Sequence, residues 1–425
     1  MTTVFGLDFG TSNTALSVNV DGEVSMIDID PFNPAGKTLK SVIYYDEEER
    51  SFHVGQEAVD RYVDNDAFGR YVQSVKTFLP DPGFESTEVG RKQYTLEALI
   101  AMILKTVRER GEAAAGRAAD TLVLGRPVVF SENPECEKMA EERLVKAAKL
   151  AGFREVHLQY EPIAAALTYE ASLGDGEEKT ILVGDFGGGT SDFTILRTRG
   201  GDAASARDRK GDVLGLSGVY IGGDTFDSAL MWNRVAPYFG RDVRVKALYD
   251  DFDLPVPSTI MGKLRNWHQI PQLRHPRILK SIGEIKHRAD RRDLIENLES
   301  LIEDNYGYML FQAIEAAKCR FSEAEEATIA FGEGSLAIRE SLAREAFDTI
   351  IHEDVERIRA CVEEVLAQAA LTPEGIDAVF LTGGSSNILK IRRIFADLFG
   401  ADKIDQTDVF TSVAHGLGVD GHRYR

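Results

Sequence analysis

Cysteine is scarce in this chain: Cys136, Cys319 and Cys361 are the only three. An odd number at wide spacing supports neither a disulfide framework nor a Cys-rich zinc site, and a reducing compartment is the simplest setting. Long apolar runs are also missing, none approaching transmembrane length, and Met1 leads into the first apolar segment without a basic-then-apolar leader pattern. A soluble, cytoplasmic protein is expected. Positive charge is in deficit, with 49 Lys and Arg against 69 Asp and Glu, a formal net charge of −20 and a pI near 4.9. Neither nucleic acid nor an anionic membrane surface is therefore expected as a partner. The 8 histidines show no ligand spacing, and there is no Walker A lysine motif and no His-Glu-x-x-His.

What is present is a repeated turn. Asp8-Phe9-Gly10-Thr11-Ser12 and Asp185-Phe186-Gly187-Gly188-Gly189-Thr190-Ser191-Asp192 each lie between two apolar runs. Val4 to Leu7 with Ala15 to Val18, and Thr180 to Val183 with Phe193 to Leu196, read as strand, tight turn, strand. Glycines let backbone N–H groups approach phosphate oxygens, and the hydroxyls add donors. A carboxylate before such a turn repels phosphate, so Asp8 and Asp185 imply a divalent cation between the two. Magnesium fits, being hard, oxygen-seeking and reluctant to lose its waters. One such turn alone reads equally as a plain hairpin; two in matching contexts suggest one triphosphate gripped from both sides. Neither Asp-Phe-Gly is a protein-kinase signature, since no His-Arg-Asp loop precedes it.

The chain is 43% hydrophobic over 425 residues, enough for two or more domains with sizeable cores, and its elements alternate between strand and helix. Asp21-Gly22 marks a hairpin between Ser17 to Val20 and Glu23 to Ile29. Leu96, Leu99, Ile100, Ile103 and Val107 fall at helical spacing and predict a helix from Thr95 to about Ala115. Thr121 to Leu124 reads as a strand, Pro134 to Ala151 as a helix stopped by Gly152, Glu155 to Gln159 as a strand and Pro162 to Leu173 as a helix. Gly174 to Glu178 is polar and rich in breakers, the best boundary candidate. Ser341 to Ala370 reads as one long helix. Ala378 to Leu381 reads as a strand entering Thr382-Gly383-Gly384-Ser385, followed by a helix from Ile388 to Phe399, a form that suits an anion at a helix N-terminus.

Taken in order, Val4-Phe-Gly-Leu-Asp-Phe-Gly-Thr11, Glu161-Pro-Ile-Ala-Ala-Ala166, Leu182-Val-Gly-Asp-Phe-Gly-Gly-Gly-Thr190, Ile221-Gly-Gly-Asp224 and Leu381-Thr-Gly-Gly-Ser385 resemble the successive motifs of the DnaK-type 70-kDa heat-shock chaperone ATPase domain. The resemblance runs from about residue 4 to residue 420 and is greatest to the short YegD type, which carries the ATPase part only. It implies an α/β, two-lobed actin-like ATPase with a duplicated ribonuclease H-like core, each lobe bearing a peripheral subdomain. Lobe I is expected at 1–175, with its peripheral subdomain around 35–95. Lobe II is expected at 176–425, with its core at 176–226 and 308–425 and an enlarged peripheral subdomain at 227–307.

The resemblance also implies roles. Asp8 and Asp185 match carboxylates that hold magnesium through its water shell. Gly10, Thr11 and Ser12, with Gly187, Gly188, Gly189 and Thr190, match the phosphate turns; Asn13, a further candidate nucleotide contact, stands where the family has an aromatic residue next to the first of them. Lys76 matches the lysine at the γ-phosphate and attacking water; Glu161, Asp185 and Asp192 complete the catalytic set. Gly222, Gly223, Gly383, Gly384 and Ser385 belong to the later nucleotide-binding motifs. Glu315, Lys318 and Ser322 match adenosine-binding positions, but Cys319 and Asn387 stand where the family has arginines flanking the adenine. Loss of two planar cations removes about 0.5 to 2 kcal/mol of stacking each. The implied activity is magnesium-dependent binding and hydrolysis of ATP to ADP, with lobe closure switched by nucleotide. The alternatives are a nucleotide-sensing scaffold with little turnover and a small-metabolite phosphotransferase. Between Asp227 and Phe311 the chain is longer than that part of the family, and its basic stretch Arg274 to Arg292 makes the 243–305 insertion a candidate protein-binding element or, alternatively, a solvated face.

Overall fold

The computed structural model describes residues 3–33, 36–170, 173–200, 209–247, 252–405 and 412–424. It divides into two compact units, one of Met1–Tyr220, Ile358–Ser386 and Arg393–Arg425, the other of Ile221–Arg357 and Asn387–Arg392.

Among the sheets of the first unit, the two largest share one wiring plan. In the first, strand Thr3–Phe9 pairs antiparallel with Asn13–Val20 and parallel with Thr121–Arg126. In the second, Glu178–Phe186 pairs antiparallel with Ser191–Arg199 and parallel with Ala378–Thr382. Each sheet extends outward, to Glu155–Tyr160 and Glu23–Met26 in the one and to Val213–Val219 and Ile404–Asp405 in the other. The central strands are buried on both faces, which explains why they read as continuous apolar runs rather than alternating ones.

Helix Leu96–Ala115 starts where Thr95 Oγ1 accepts the Ala98 N–H at 3.3 Å and ends at left-handed Gly116. Its stripe of Leu96, Leu99, Ile100, Ile103, Leu104 and Val107 is wholly buried against the first sheet, each side chain contributing about 1.5 to 3 kcal/mol. A second apolar cluster joins Ala164, Ala165 and Ala166 to Val413 and Leu417 and to Val4, Val123, Ile181 and Val183 of the sheets. Here the helices Glu161–Glu170 and Ser412–Asp420 cross so closely that a Cβ on Gly416 would lie 1.8 Å from the Ala164 carbonyl oxygen. Buried Ser17 and Asn19 donate to the Ala414 and Gly418 carbonyls at 2.6 and 2.8 Å, so the polar side chains of the strand are satisfied by the helix above it.

The second unit contains helices Pro276–Arg288, Arg292–Glu303 and Gly307–Arg320 and the hairpin Glu326–Glu333 with Leu336–Ala343. This hairpin corrects the expected helix from Ser341 to Ala370. Ser341 to Ala343 finish a strand, a short helix Arg344–Ile350 follows, and the long helix runs His352–Gln368. The strand's period of two was visible in buried Leu336, Ile338 and Leu342 but was overshadowed by the helical period after Phe347. Strand Glu23–Met26 also stops short of Ile29, and residues 171–172 of the helix expected from Pro162 to Leu173 lie outside the described residues. Residues 248–251 of the 243–305 insertion lie outside the described residues. Among the described residues no helix is long and apolar enough to cross a membrane.

Candidate functional site

The two glycine turns close in the same way. Gly10 N–H donates to the Asn13 carbonyl at 2.9 Å, and Gly187 N–H to the Thr190 carbonyl at 2.8 Å. The N–H groups of Thr11, Ser12, Gly188 and Gly189 find no acceptor among the described residues. Buried Ser41, which carries no motif in the sequence, braces the first turn: its N–H donates to the Ser12 carbonyl and its hydroxyl to the Gly10 carbonyl, both at 2.8 Å. Gly189 is not in the left-handed region, and a Cβ built there meets nothing within 4 Å. Among the described residues no contact therefore requires glycine at that position. Gly383 is different: it is left-handed, and its Cβ would lie 1.9 Å from the Phe186 carbonyl oxygen, so it is glycine for the sake of strand packing.

Acidic groups gather beside the turns. Asp185 and Asp192 are directly opposite each other across the hairpin, a like-charged pair that is unfavourable unless something neutralises it. Lys76 stands on the short 3₁₀ turn Val75–Phe78, held by buried Val75 and Leu79. Its Nζ donates to Glu161 Oε1 at 2.8 Å, with both side chains largely shielded at 11% and 14% exposure. Glu161 begins helix Glu161–Glu170, where the dipole favours a negative charge. Thr382 donates its hydroxyl to Asp185 Oδ1 at 2.6 Å, and Thr190 donates to Asp192 Oδ2 at 3.1 Å.

The carboxylates feel one another. Burial first, and then the Glu161 and Asp185 carboxylates, push Asp8 up to about 8, against the pull of Lys76. Asp185 is raised by burial and by Glu161, although the Thr382 hydroxyl opposes this. Asp192 rises to about 6 through burial and Asp185. Burial alone would lower Lys76, but Glu161 and Asp8 outweigh it and hold the ammonium above its ordinary value. Asp8 and Asp185 keep partial solvent exposure and Asp192 is exposed, so the recess is surrounded by protein yet open to water. Four carboxylates against one ammonium form an all-oxygen donor set in excess negative charge, which suits a hard divalent cation.

That set does not converge on one point. Among the described residues only Asp46, Glu49 and His53 bring three potential ligand atoms within 4.8 Å of one another. Those atoms already have partners: Asp46 accepts from the Glu48 and Glu49 N–H groups and Asn65, Glu49 from Arg61, and His53 is hydrogen-bonded to Ser51 and Glu57.

The remaining expected site residues divide between the units. Gly384 and Ser385 lie with the recess in the first unit, whereas Gly222, Gly223, Glu315, Lys318, Ser322 and Asn387 lie in the second. There Lys318 Nζ donates to Asp227 Oδ2 at 2.7 Å and to the Gly223 carbonyl at 3.2 Å. Asp227, which no motif flagged, is pushed up to about 6 by its burial, against the attraction of Lys318. Cys319 is exposed. Within the basic stretch, Arg274 donates to the Ile302 and Glu303 carbonyls at the end of helix Arg292–Glu303, Lys286 pairs with Glu299 and Arg291 with Asp293. Those cations serve the unit's own fold, while Arg277, Lys280 and His287 are exposed.

The family model described as Hsp70 protein matches residues 4–251 and 297–422, leaving 252–296 unmatched within the segment that the sequence marked as long. The matched residues make up most of the chain and contain both glycine turns, Lys76, Glu161 and the acidic pair, and the fold is the actin-like ATPase fold. The chain belongs to the Hsp70 family.

Proposed function

We propose that this is an ATP-binding protein of chaperone type that holds Mg-ATP by its phosphates in the recess of the first unit and hydrolyses it to ADP and phosphate. The observation that carries the reading is the meeting of Lys76 with Glu161 beside Asp8 and Asp185, next to two identically closed turns with spare N–H donors. The turns would receive the phosphate oxygens. Asp8 and Asp185 would hold magnesium through its waters, and the cation would offset charge on the transferred phosphoryl group. Lys76, kept charged and oriented by Glu161, would place its ammonium against the same developing charge. Asp192, opposite Asp185 across the hairpin, would orient the attacking water. Closure of lobes at 1–175 and 176–425 around nucleotide would couple the chemistry to a partner, provided that closure distinguishes ATP from ADP.

A second reading, a nucleotide sensor with little turnover, draws on Lys318 and Cys319. Lys318 is buried and already engaged by Asp227 and Gly223, and Cys319 cannot stack on a base as an arginine would.

Gly189→Val separates ligand binding from folding. Its added side chain begins in open space, so the melting temperature should stay within a degree or two, while equilibrium titration should show ATP affinity weakened tenfold or more. Unchanged ATP affinity would place the phosphates elsewhere.

A further inference from the structure

We infer that Arg143, on helix Pro134–Leu150, is a positioning residue for Lys76. Its guanidinium donates to four backbone carbonyls of one short segment: Phe78 at 3.2 Å, Leu79 at 3.0 Å and Asp81 at 2.8 Å through one nitrogen, and Phe84 at 2.9 Å through another. These carbonyls belong to the last residue of the 3₁₀ turn Val75–Phe78 that carries Lys76 and to the six residues after it. The Phe78 and Asp81 carbonyls also accept the Asp81 and Phe84 N–H groups at 3.1 and 3.3 Å, and a planar cation with donors in a fixed fork suits the collection of four such carbonyls where an ammonium does not. The other end of the turn is strained. Ser74 is left-handed at φ 56, a conformation that a non-glycine residue keeps only when its surroundings impose it. Thr77 adds a bond from its hydroxyl to the Ser74 carbonyl at 2.7 Å. Lys76 is thus fixed between an imposed bend and an arginine clasp, and its ammonium meets Glu161 at 2.8 Å. Arg143 touches neither nucleotide turn nor carboxylate in this arrangement; it acts through the backbone that aims Lys76.

The inference rests on the reading of Lys76 as the lysine at the transferred phosphoryl group, and a double-mutant cycle separates the two. Single-turnover ATP hydrolysis and equilibrium ATP binding are measured for wild type, Arg143→Ala, Arg143→Lys, Lys76→Ala and Arg143→Ala/Lys76→Ala. Arg143→Ala should slow hydrolysis tenfold or more with ATP affinity within about threefold, and Arg143→Lys should recover only part of the loss. In the Lys76→Ala background, Arg143→Ala should cost nothing further. Amide hydrogen exchange of residues 75–84 in the nucleotide-free protein should quicken in Arg143→Ala, a readout independent of turnover. Lys76→Ala with wild-type hydrolysis would overturn the site reading. Impaired Lys76→Ala beside unimpaired Arg143→Ala, an equal fractional loss in both backgrounds, or unchanged exchange over 75–84 would overturn the inference.

Discussion

Lys76→Ala is expected to slow single-turnover ATP hydrolysis by roughly a hundredfold or more, the scale of losing a preorganised electrostatic group, while ATP remains bound. The expectation follows from where the ammonium stands rather than from its charge alone. A lysine on an exposed face loses little when truncated. Lys76 is 11% exposed, paired with Glu161, and is the ammonium whose attraction opposes the upward shift of Asp8. Its removal leaves Glu161 facing Asp8 and Asp185 without that cation, so the apo recess becomes more repulsive as well as less reactive. Stability must therefore be followed beside the rate. A variant that melts near the wild-type temperature, binds ATP and fails to convert it would place the defect in the chemical step. Hydrolysis at the wild-type rate would mean that no phosphoryl group lies near this ammonium.

Gly416→Ala should have the second large effect, on stability. Within a helix, alanine is ordinarily favoured over glycine by about 0.5 to 1 kcal/mol. Here the new Cβ would fall 1.8 Å from the Ala164 oxygen and 2.5 Å from its carbonyl carbon, both backbone atoms that cannot rotate away. The helices Glu161–Glu170 and Ser412–Asp420 would have to separate, loosening the cluster of Ala164, Ala166 and Leu417. A net loss of about 3 kcal/mol or more in denaturant unfolding is expected, within the range of overpacked cores. Because Glu161 is the first residue of the displaced helix, hydrolysis should fall in the folded fraction as well. A variant as stable as the wild type would show that the crossing is looser than described.

Much of the fold was legible because its elements announce themselves. The helix Leu96–Ala115 was marked by its apolar stripe and by Thr95, and the hairpin after Val20 by Asp21-Gly22, whose φ values of 50 and 114 suit that two-residue turn. The repeated turn was visible as a string, and the sheets around its two copies follow one wiring plan. The hairpin ending at Ala343 was misread because its alternation runs straight into a helical stripe. Parts of the site left no local signal. Lys76 is one of 49 basic residues, and nothing near it in sequence reveals that Glu161 closes on it; only resemblance singled it out. Ser41, Thr382, Asp227 and Arg143 act through hydrogen bonds to residues distant in sequence, which residue spacing cannot show. The basic stretch from Arg274 was conspicuous as a string, yet several of its cations turn inward to carbonyls and carboxylates of their own unit.

The most direct test of the account is single-turnover hydrolysis of radiolabelled ATP by excess wild-type protein, with magnesium and again with EDTA. The account predicts conversion to ADP and phosphate with magnesium and none once the cation is removed. ATP that stays intact on the protein in the presence of magnesium, or that is hydrolysed equally in EDTA, would contradict it.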